Sequence, residues 1–451
     1  MKIIIAGCGK VGMTLVESLT AEGHDITIID PLKKAIDAAK IYDILSVQGN
    51  AADPGALEEA DAANADLIVA TTNSDEVNML CCFFAKSLGC KQTIARVRGT
   101  DYDDRDLDFM KNKLGLSMTI NPELLAAREL FNILKLPSAL KIETFSSRRF
   151  EMIELRLKQG SLLAGMKLSE LRESFKEKFL ICAVQRADKV FIPDGNFVLN
   201  EGDKIGITAE PAVITKLLKN LKILQKQARK VMIVGGSRTS FYLAKRLAAG
   251  GNTVKILEKE PERCHDLEVL LKDVEILHGD AASQEVLEEE GILDMDAFVA
   301  LTGMDEENIL LSYYAESRGV GKVIAKVNRA ELVHIAEQMG LESIVSPKKL
   351  VSDVIISYVR ALKNSVGSKV ETLYKLMDSN VEALEFIATR DFRGSDVQLK
   401  DIVLKNNILI AGIVRGRETI IPTGSDVILP GDRVVVISAD RKLSDLGDIL
   451  K

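Results

Sequence analysis

The chain has 451 residues, room for about three domains at roughly 150 residues each, and its 66 acidic against 59 basic residues leave a net charge of -7. That balance argues against a general nucleic-acid binder, which needs a basic footprint. With 5% aromatic residues and no Trp, a base-stacking platform or a sugar-binding cleft is equally poorly supported.

An apolar β-branched run at 2–6 is predicted as a strand, and it leads directly into Gly7-Cys8-Gly9-Lys10-Val11-Gly12 and a helix over 13–22. This is G-x-G-x-x-G placed between a strand and a helix. Gly7 permits a tight turn, Gly9 lets the backbone approach a pyrophosphate, and Gly12 lets the helix pack close to the sheet. The helix N-terminus offers unpaired N–H groups and a positive dipole to an anion. A second strand, 25–29, ends at Asp30, 18 residues after Gly12, where a carboxylate accepts hydrogen bonds from adenosine ribose hydroxyls. The strand at 44–47 ends at Gly49-Asn50-Ala51, and the strand at 67–70 ends at Thr71-Thr72-Asn73. Both ends face the crevice where ligands lie in open α/β sheets. Thr72 and Asn73 read as ribose or phosphate contacts and also as N-caps of a helix over 77–88. Arg96, in the fifth strand at 93–97, reads as a phosphate partner or as half of a surface ion pair. Strands alternating with helices imply βαβ units and a parallel sheet. Asn121-Pro122-Glu123 then opens a further helix, with Asn as N-cap and Pro at N1.

Beyond this point the pattern changes in kind. Short strands are expected at 152–157, 179–185, 190–193, 197–199 and 204–208, with one helix near 167–173, which describes a small α+β lobe. Residues 221–230 (LKILQKQARK) read as a polar helix end or a linker.

The chain then repeats itself. Residues 66–78 (DLIVATTNSDEVN) and 296–308 (DAFVALTGMDEEN) share seven of 13 positions at an offset of 230. Residues 180–208 and 409–437 share nine of 29 without a gap, including Ile192-Pro193 with Ile421-Pro422 and Gly202-Asp203 with Gly431-Asp432. A duplicated two-lobed unit follows, with an expected division into 1–120, a crossover helix at 121–140, 141–225, 229–345, a second crossover helix at 346–366 opened by Ser346-Pro347, and 367–451. The second glycine loop is degraded: Gly235-Gly236-Ser237-Arg238-Thr239-Ser240 puts Ser where the second and third glycines stood. Ser237 should hinder close backbone approach and Ser240 should loosen the helix–sheet contact. Glu258 keeps the ribose acid, Arg238 can meet a phosphate, and Asp280, Thr302 and Gly303 occupy the strand ends of the first copy, with Lys326 in the place of Arg96. This second site holds a nucleotide differently, weakly or not at all.

A mean hydropathy of +0.09 calls for a search for membrane spans, yet the longest apolar runs, such as 408–414 and 231–234, fall far short of the roughly 20 residues required. No secretory leader is read at the N-terminus. Six cysteines lack C-x-x-C spacing and four histidines (24, 265, 278, 334) do not cluster, so neither a disulfide framework nor a zinc site is expected. A dehydrogenase needs a proton donor or acceptor near the nicotinamide, and the α+β lobes contain no His at all. Cys81 and Cys82 read as packing residues, and Cys8 as a thiol inside the glycine loop. Binding rather than turnover is the expectation.

Two glycine-loop lobes, each with Thr and GNA/GDA strand ends and each followed by a lobe carrying I-P…L-x-x-G-D, resemble the TrkA family, the cytoplasmic NAD-binding regulatory subunits of Trk potassium-uptake systems, built from tandem RCK (KTN) domains. The resemblance spans the whole chain. It implies Rossmann-like RCK N-terminal lobes, α+β RCK C-terminal lobes, crossover helices that pair neighbours, a homotetramer forming a ring of eight RCK domains, and docking on the cytoplasmic face of a potassium-translocating membrane subunit. By resemblance the first dinucleotide site comprises Gly7 to Val11, Asp30, Thr72, Asn73 and Arg96, and the second Gly235 to Thr239, Glu258, Thr302 and Gly303. Asn50 departs from the usual Asp and Ser237 from the usual Gly, which leaves ATP or ADP open beside NAD or NADH. Competing expectations are an NAD-dependent oxidoreductase and a nucleotide-sensing regulator of another transporter or channel.

Overall fold

The computed structural model describes residues 1–99, 104–145, 149–175, 177–187, 189–363, 370–377, 381–439 and 443–451. The first lobe runs β1 (Lys2–Ala6), α1 (Lys10–Ala21), β2 (Asp25–Asp30), α2 (Lys33–Ala39), β3 (Leu45–Gln48), α3 (Pro54–Glu59), β4 (Leu67–Ala70), α4 (Asp75–Leu88), β5 (Gln92–Arg96), α5 (Asp104–Leu114), β6 (Met118–Ile120) and α6 (Pro122–Lys135). Its six strands are parallel in the order β3-β2-β1-β4-β5-β6. β4 is buried along its whole length and β1 from Ile3 onward, as strands covered by helices on both faces must be. The strand order reverses between β1 and β4, and the crevice at that switch point is where such sheets bind ligands.

The α+β lobe follows: β7 (Lys141–Phe145), β8 (Phe150–Arg156), α7 (Leu168–Ser174), β9 (Leu180–Arg186), β10 (Lys189–Phe191), β11 (Lys204–Ala209) and α8 (Pro211–Asn220). Its sheet is antiparallel, ordered β10-β9-β11-β8-β7. Residues 197–199 are not a strand. Phe197 N–H closes a turn onto the Asp194 carbonyl and Arg186 takes the Val198 carbonyl, while the Phe197 carbonyl accepts from Leu168 N–H and Leu199 N–H donates to the Met166 carbonyl, an isolated bridge at Val198 and Lys167. Between α8 and the next strand the chain is a linker without regular structure.

The second copy repeats the plan with β12 (Lys230–Val234), α9 (Arg238–Ala249), β13 (Thr253–Glu258), α10 (Pro261–Leu270), β14 (Glu275–His278), α11 (Gln284–Glu289), β15 (Ala297–Ala300), α12 (Asp305–Ser317), β16 (Lys322–Lys326), α13 (Ala330–Gln338), β17 (Ile344–Val345) and α14 (Pro347–Lys363). Its parallel sheet has the order β14-β13-β12-β15-β16-β17. The last lobe holds β18 (Val370–Leu376), β19 (Val381–Ile387), β20 (Ile408–Arg415), β21 (Glu418–Ile420) and β22 (Arg433–Ala439), ordered β18-β19-β22-β20-β21. The boundary expected at 366–367 lies outside the described residues.

Like lobes associate with like, in two compact units: Met1–Leu130 with Lys230–Ile356, and Phe131–Arg229 with Ser357–Lys451. In the first unit Tyr242 of α9 bridges to the first lobe, its hydroxyl donating to the Gly99 carbonyl (3.3 Å) and accepting from Asn121 Nδ2 (3.3 Å). In the second unit Phe145, Phe150, Met152 and Cys182 share an apolar cluster with Leu376, Met377, Ala383 and Ile437. Gly412 is required there, because a Cβ would overlap the Phe150 ring. Glu154, 2% exposed, crosses the seam: one oxygen accepts from Met377 N–H at 3.0 Å and the other faces Lys204 Nζ at 3.3 Å.

Candidate nucleotide-binding site

β1 ends in a turn that only glycine tolerates. Gly7 has φ +94° and lies so close to Thr72 that a Cβ would stand 2.8 Å from its nitrogen. A Cβ on Gly12 would overlap the Gly7 carbonyl oxygen, which Thr71 Oγ1 tethers at 3.0 Å. Gly9 is different. It is exposed, in extended conformation, with nothing within 4 Å of where a Cβ would be. As N-cap of α1 it supplies no side-chain bond to the first turn, and Lys10 is exposed and Val11 half-buried at the helix start.

Asp30 is 7% exposed and held by two amides: Cys8 N–H donates to Oδ2 at 2.7 Å and Leu32 N–H to Oδ1 at 2.8 Å. The carboxylate is therefore fixed beside the loop with lone pairs to spare. Cys8 is buried against it, and burial, aided by the Asp30 charge, pushes its thiol up to about 12. Thiolate chemistry at the loop is thereby suppressed. Gly49 packs on Ala56, where a Cβ would come within 2.9 Å of the Ala56 Cβ. Asn50 is exposed, its side chain accepting from Ala52 N–H at 3.0 Å; Asp280 makes the same turn with Ala282 at 2.9 Å. Replacing Asp by Asn at this place leaves the turn intact.

The cap of α4 is neither Thr72 nor Asn73 but Ser74, whose Oγ accepts from Val77 N–H at 3.1 Å. Thr72 is instead fixed by Asn78, whose Oδ1 accepts from its N–H (2.7 Å) and its hydroxyl (2.8 Å), while Asn78 Nδ2 donates to the Arg96 carbonyl at 2.9 Å. Asn78 thus ties the ends of β4 and β5 together, and Asn308 does so for Thr302 and Lys326. Its identity in both copies was the available signal. Asp75 likewise accepts from the amides of Arg98 and Gly99, and Asp305 from those of Asn328 and Arg329. Asn73 is exposed, and its carbonyl accepts from Arg98 at 3.1 Å.

Arg96 is no surface ion pair. It is 7% exposed and donates to the Thr72 carbonyl, and burial, with the charges of Arg98 and Arg238, holds its guanidinium below its usual range. Arg96 Nε, Arg98 Nε and Glu123 Oε2 are buried without a hydrogen-bond partner among the described residues. Arg238, exposed at the start of α9, thus acts electrostatically on the first lobe, and Lys10 reaches Lys326 of the second in the same way.

In the second copy Gly235 (φ +91°) repeats the tight turn, and Glu258 is held by Gly236 N–H and by Glu260 N–H at 2.9 Å. Thr239 is buried, and Gly303 has open space around it. Ser240 does not loosen the contact. Its hydroxyl donates to the Gly235 carbonyl, restoring the tether that Thr71 provides in the first copy and that Leu301 cannot.

Comparison with known proteins follows the same duplication. The TrkA-N domain matches residues 3–122 and 231–347, and the TrkA-C domain residues 152–222 and 395–451. A Trk system potassium uptake protein TrkA homolog of Archaeoglobus fulgidus is 33% identical over the full length of both chains. The Trk system potassium uptake protein TrkA of Haemophilus influenzae is 31% identical, over 98% of this chain and 96% of its own. Among solved structures, the GsuK RCK domain superposes with a TM-score of 0.64 at 17% identity, over 97% of this chain and 92% of that one. The GsuK channel bound to NAD also gives 0.64 at 17% identity, over 97% and 77%.

Proposed function

The chain belongs to the TrkA family of Trk-system potassium uptake proteins, and from that premise we propose that it is the nucleotide-binding subunit that regulates potassium uptake through a Trk-type membrane partner. The observation that carries the reading is the first glycine loop: an uncapped helix N-terminus behind an open Gly9, with Asp30 already fixed beside it by two amides. These groups fit a dinucleotide. The amides of Gly9, Lys10 and Val11 take the pyrophosphate, Asp30 takes the adenosine ribose, and Thr72, Asn73 and Arg96 line the strand ends beyond. NAD or NADH is the ligand proposed for this site. ATP and ADP share the adenosine half that Asp30 reads and are the alternatives.

Bound NAD supplies groups to be recognised, and in this reading it is an effector, not a hydride donor. No helix among the described residues is long and apolar enough to cross a membrane, and the reading leaves ion translocation to the partner. The chain acts as a homotetramer, a ring of eight RCK domains, peripheral at the cytoplasmic face of the membrane. Regulation is linkage: a nucleotide that binds one conformation of the ring more tightly shifts the ring toward it, by no more than its differential affinity.

The test is calorimetric titration of the purified chain with NAD, NADH, ATP and ADP, repeated with Asp30→Ala, followed by potassium flux into proteoliposomes holding the membrane partner. We expect Asp30→Ala to weaken binding at least about tenfold, as loss of charge-assisted hydrogen bonds should, and to abolish the nucleotide response of flux. Binding that survives the substitution unchanged refutes the assignment of Asp30. A flux indifferent to every nucleotide refutes the regulatory role.

A further inference from the structure

We infer that the chain carries one functioning nucleotide site, in the first lobe, because Ser237, Ser240 and Arg263 have closed the second glycine loop on itself. The inference rests on the first-site reading and concerns only its copy.

Four differences between the two copies bear on the second loop. Where Gly9 leaves open space, Ser237 carries a side chain, and its Oγ accepts from Ser240 N–H at 3.2 Å and lies 2.9 Å from Ser240 Oγ. The N-terminal turn of α9 is therefore capped from within, whereas that of α1 is not. A bound anion gains most where first-turn amides have no other partner. Where Gly12 stood, Ser240 bonds the loop's own carbonyl at Gly235. Arg263 stands in the place of Ala35, five residues after each ribose acid. Its Nε donates to the Gly236 carbonyl at 2.6 Å, and its Cγ lies 3.1 Å from where a Gly236 Cβ would be. Gly303 replaces Asn73 and removes a polar side chain from the fourth strand's end.

The survival of Glu258 does not require a ligand. Its two oxygens accept from Gly236 N–H and Glu260 N–H, and removing it would orphan both amides. The acid is kept as the brace of the loop. Each chain then binds one nucleotide, and a tetramer four, at alternate Rossmann lobes.

The experiment is the stoichiometry of the full chain, measured by calorimetry with NAD, NADH, ATP and ADP in turn. One event per wild-type chain, weakened at least about tenfold in Asp30→Ala, supports the inference. Two events in the wild type, or one of undiminished affinity in Asp30→Ala, overturn it while leaving nucleotide binding by this protein standing. No event with any nucleotide overturns the first-site reading and this inference together. The double variant Ser237→Gly/Arg263→Ala should gain a second event, with the first event serving as its own control for folding. If the first is intact and no second appears, these side chains are not what closes the loop.

Discussion

At the scale of single residues, the three glycines of the first loop have separable duties. Gly12 is structural: a Cβ there would overlap the Gly7 carbonyl. Gly12→Ala should therefore destabilise the first lobe by about 3 kcal/mol, the upper range for overpacking, seen as a lower unfolding midpoint in urea. Gly9 has open space and an extended backbone, so Gly9→Ala should leave that midpoint unchanged and weaken nucleotide binding at least about tenfold, a loss of roughly 1.4 kcal/mol. If both substitutions lower the midpoint equally, the division of labour is wrong. The loop and Asp30 were legible in the sequence because spacing alone encodes them. Asn78 was legible only as an identity shared with Asn308, since nothing in a helical Asn says that its amide reaches two strand ends. Arg96 was legible only as a cation, and its burial on the Thr72 carbonyl is a product of the fold.

At the scale of elements, α4 and α12 are the same helix with unequal ends. Ser74 caps α4, while its counterpart Met304 provides no side-chain cap and is 55% exposed. Ser74→Ala should cost about 1 kcal/mol and Met304→Ser should return a similar amount, the usual worth of an N-cap. Thermal unfolding of the two variants against the parent checks both signs, and an unaltered midpoint for both would remove the cap from the account. The strands of the first Rossmann lobe were legible because each is a short β-branched run bounded by a turn signal, and most were placed to within a residue or two. β6, three residues long, offers no run to detect. Residues 197–199 look like a strand because Phe, Val and Leu favour one, but apart from the turn at Asp194 and the Arg186 bond their carbonyls and amides pair with the irregular segment at 165–168 and not with a strand of the sheet.

At the scale of the whole molecule, the two α+β lobes bury an apolar face against each other. The cluster that joins Phe145, Phe150 and Met152 to Met377, Ala383 and Ile437 belongs to neither α+β lobe alone. Expressed without its second half, a fragment of residues 1–229 would expose that face, and exposed apolar faces seek cover. We expect it to self-associate through the same surfaces, read as a concentration-dependent dimer by light scattering. A strictly monomeric, folded fragment would show that the shared core is dispensable. The repeat was legible at 13 and 29 residues of alignment. Which lobe pairs with which was not, because partner choice resides in side-chain fit such as Gly412 against Phe150. The linker after α8 then has a kinetic meaning. A dimer of separate half-length chains must find its partner by collision, at a rate set by how much of it the cell makes. Tethered halves meet at a fixed effective concentration, insensitive to dilution. Such a pair is also released from self-complementarity: a change on one face no longer appears on both. Ser237 with its cap, the Ser240 hydroxyl and the uncapped Met304 are one-sided differences that a fused pair permits.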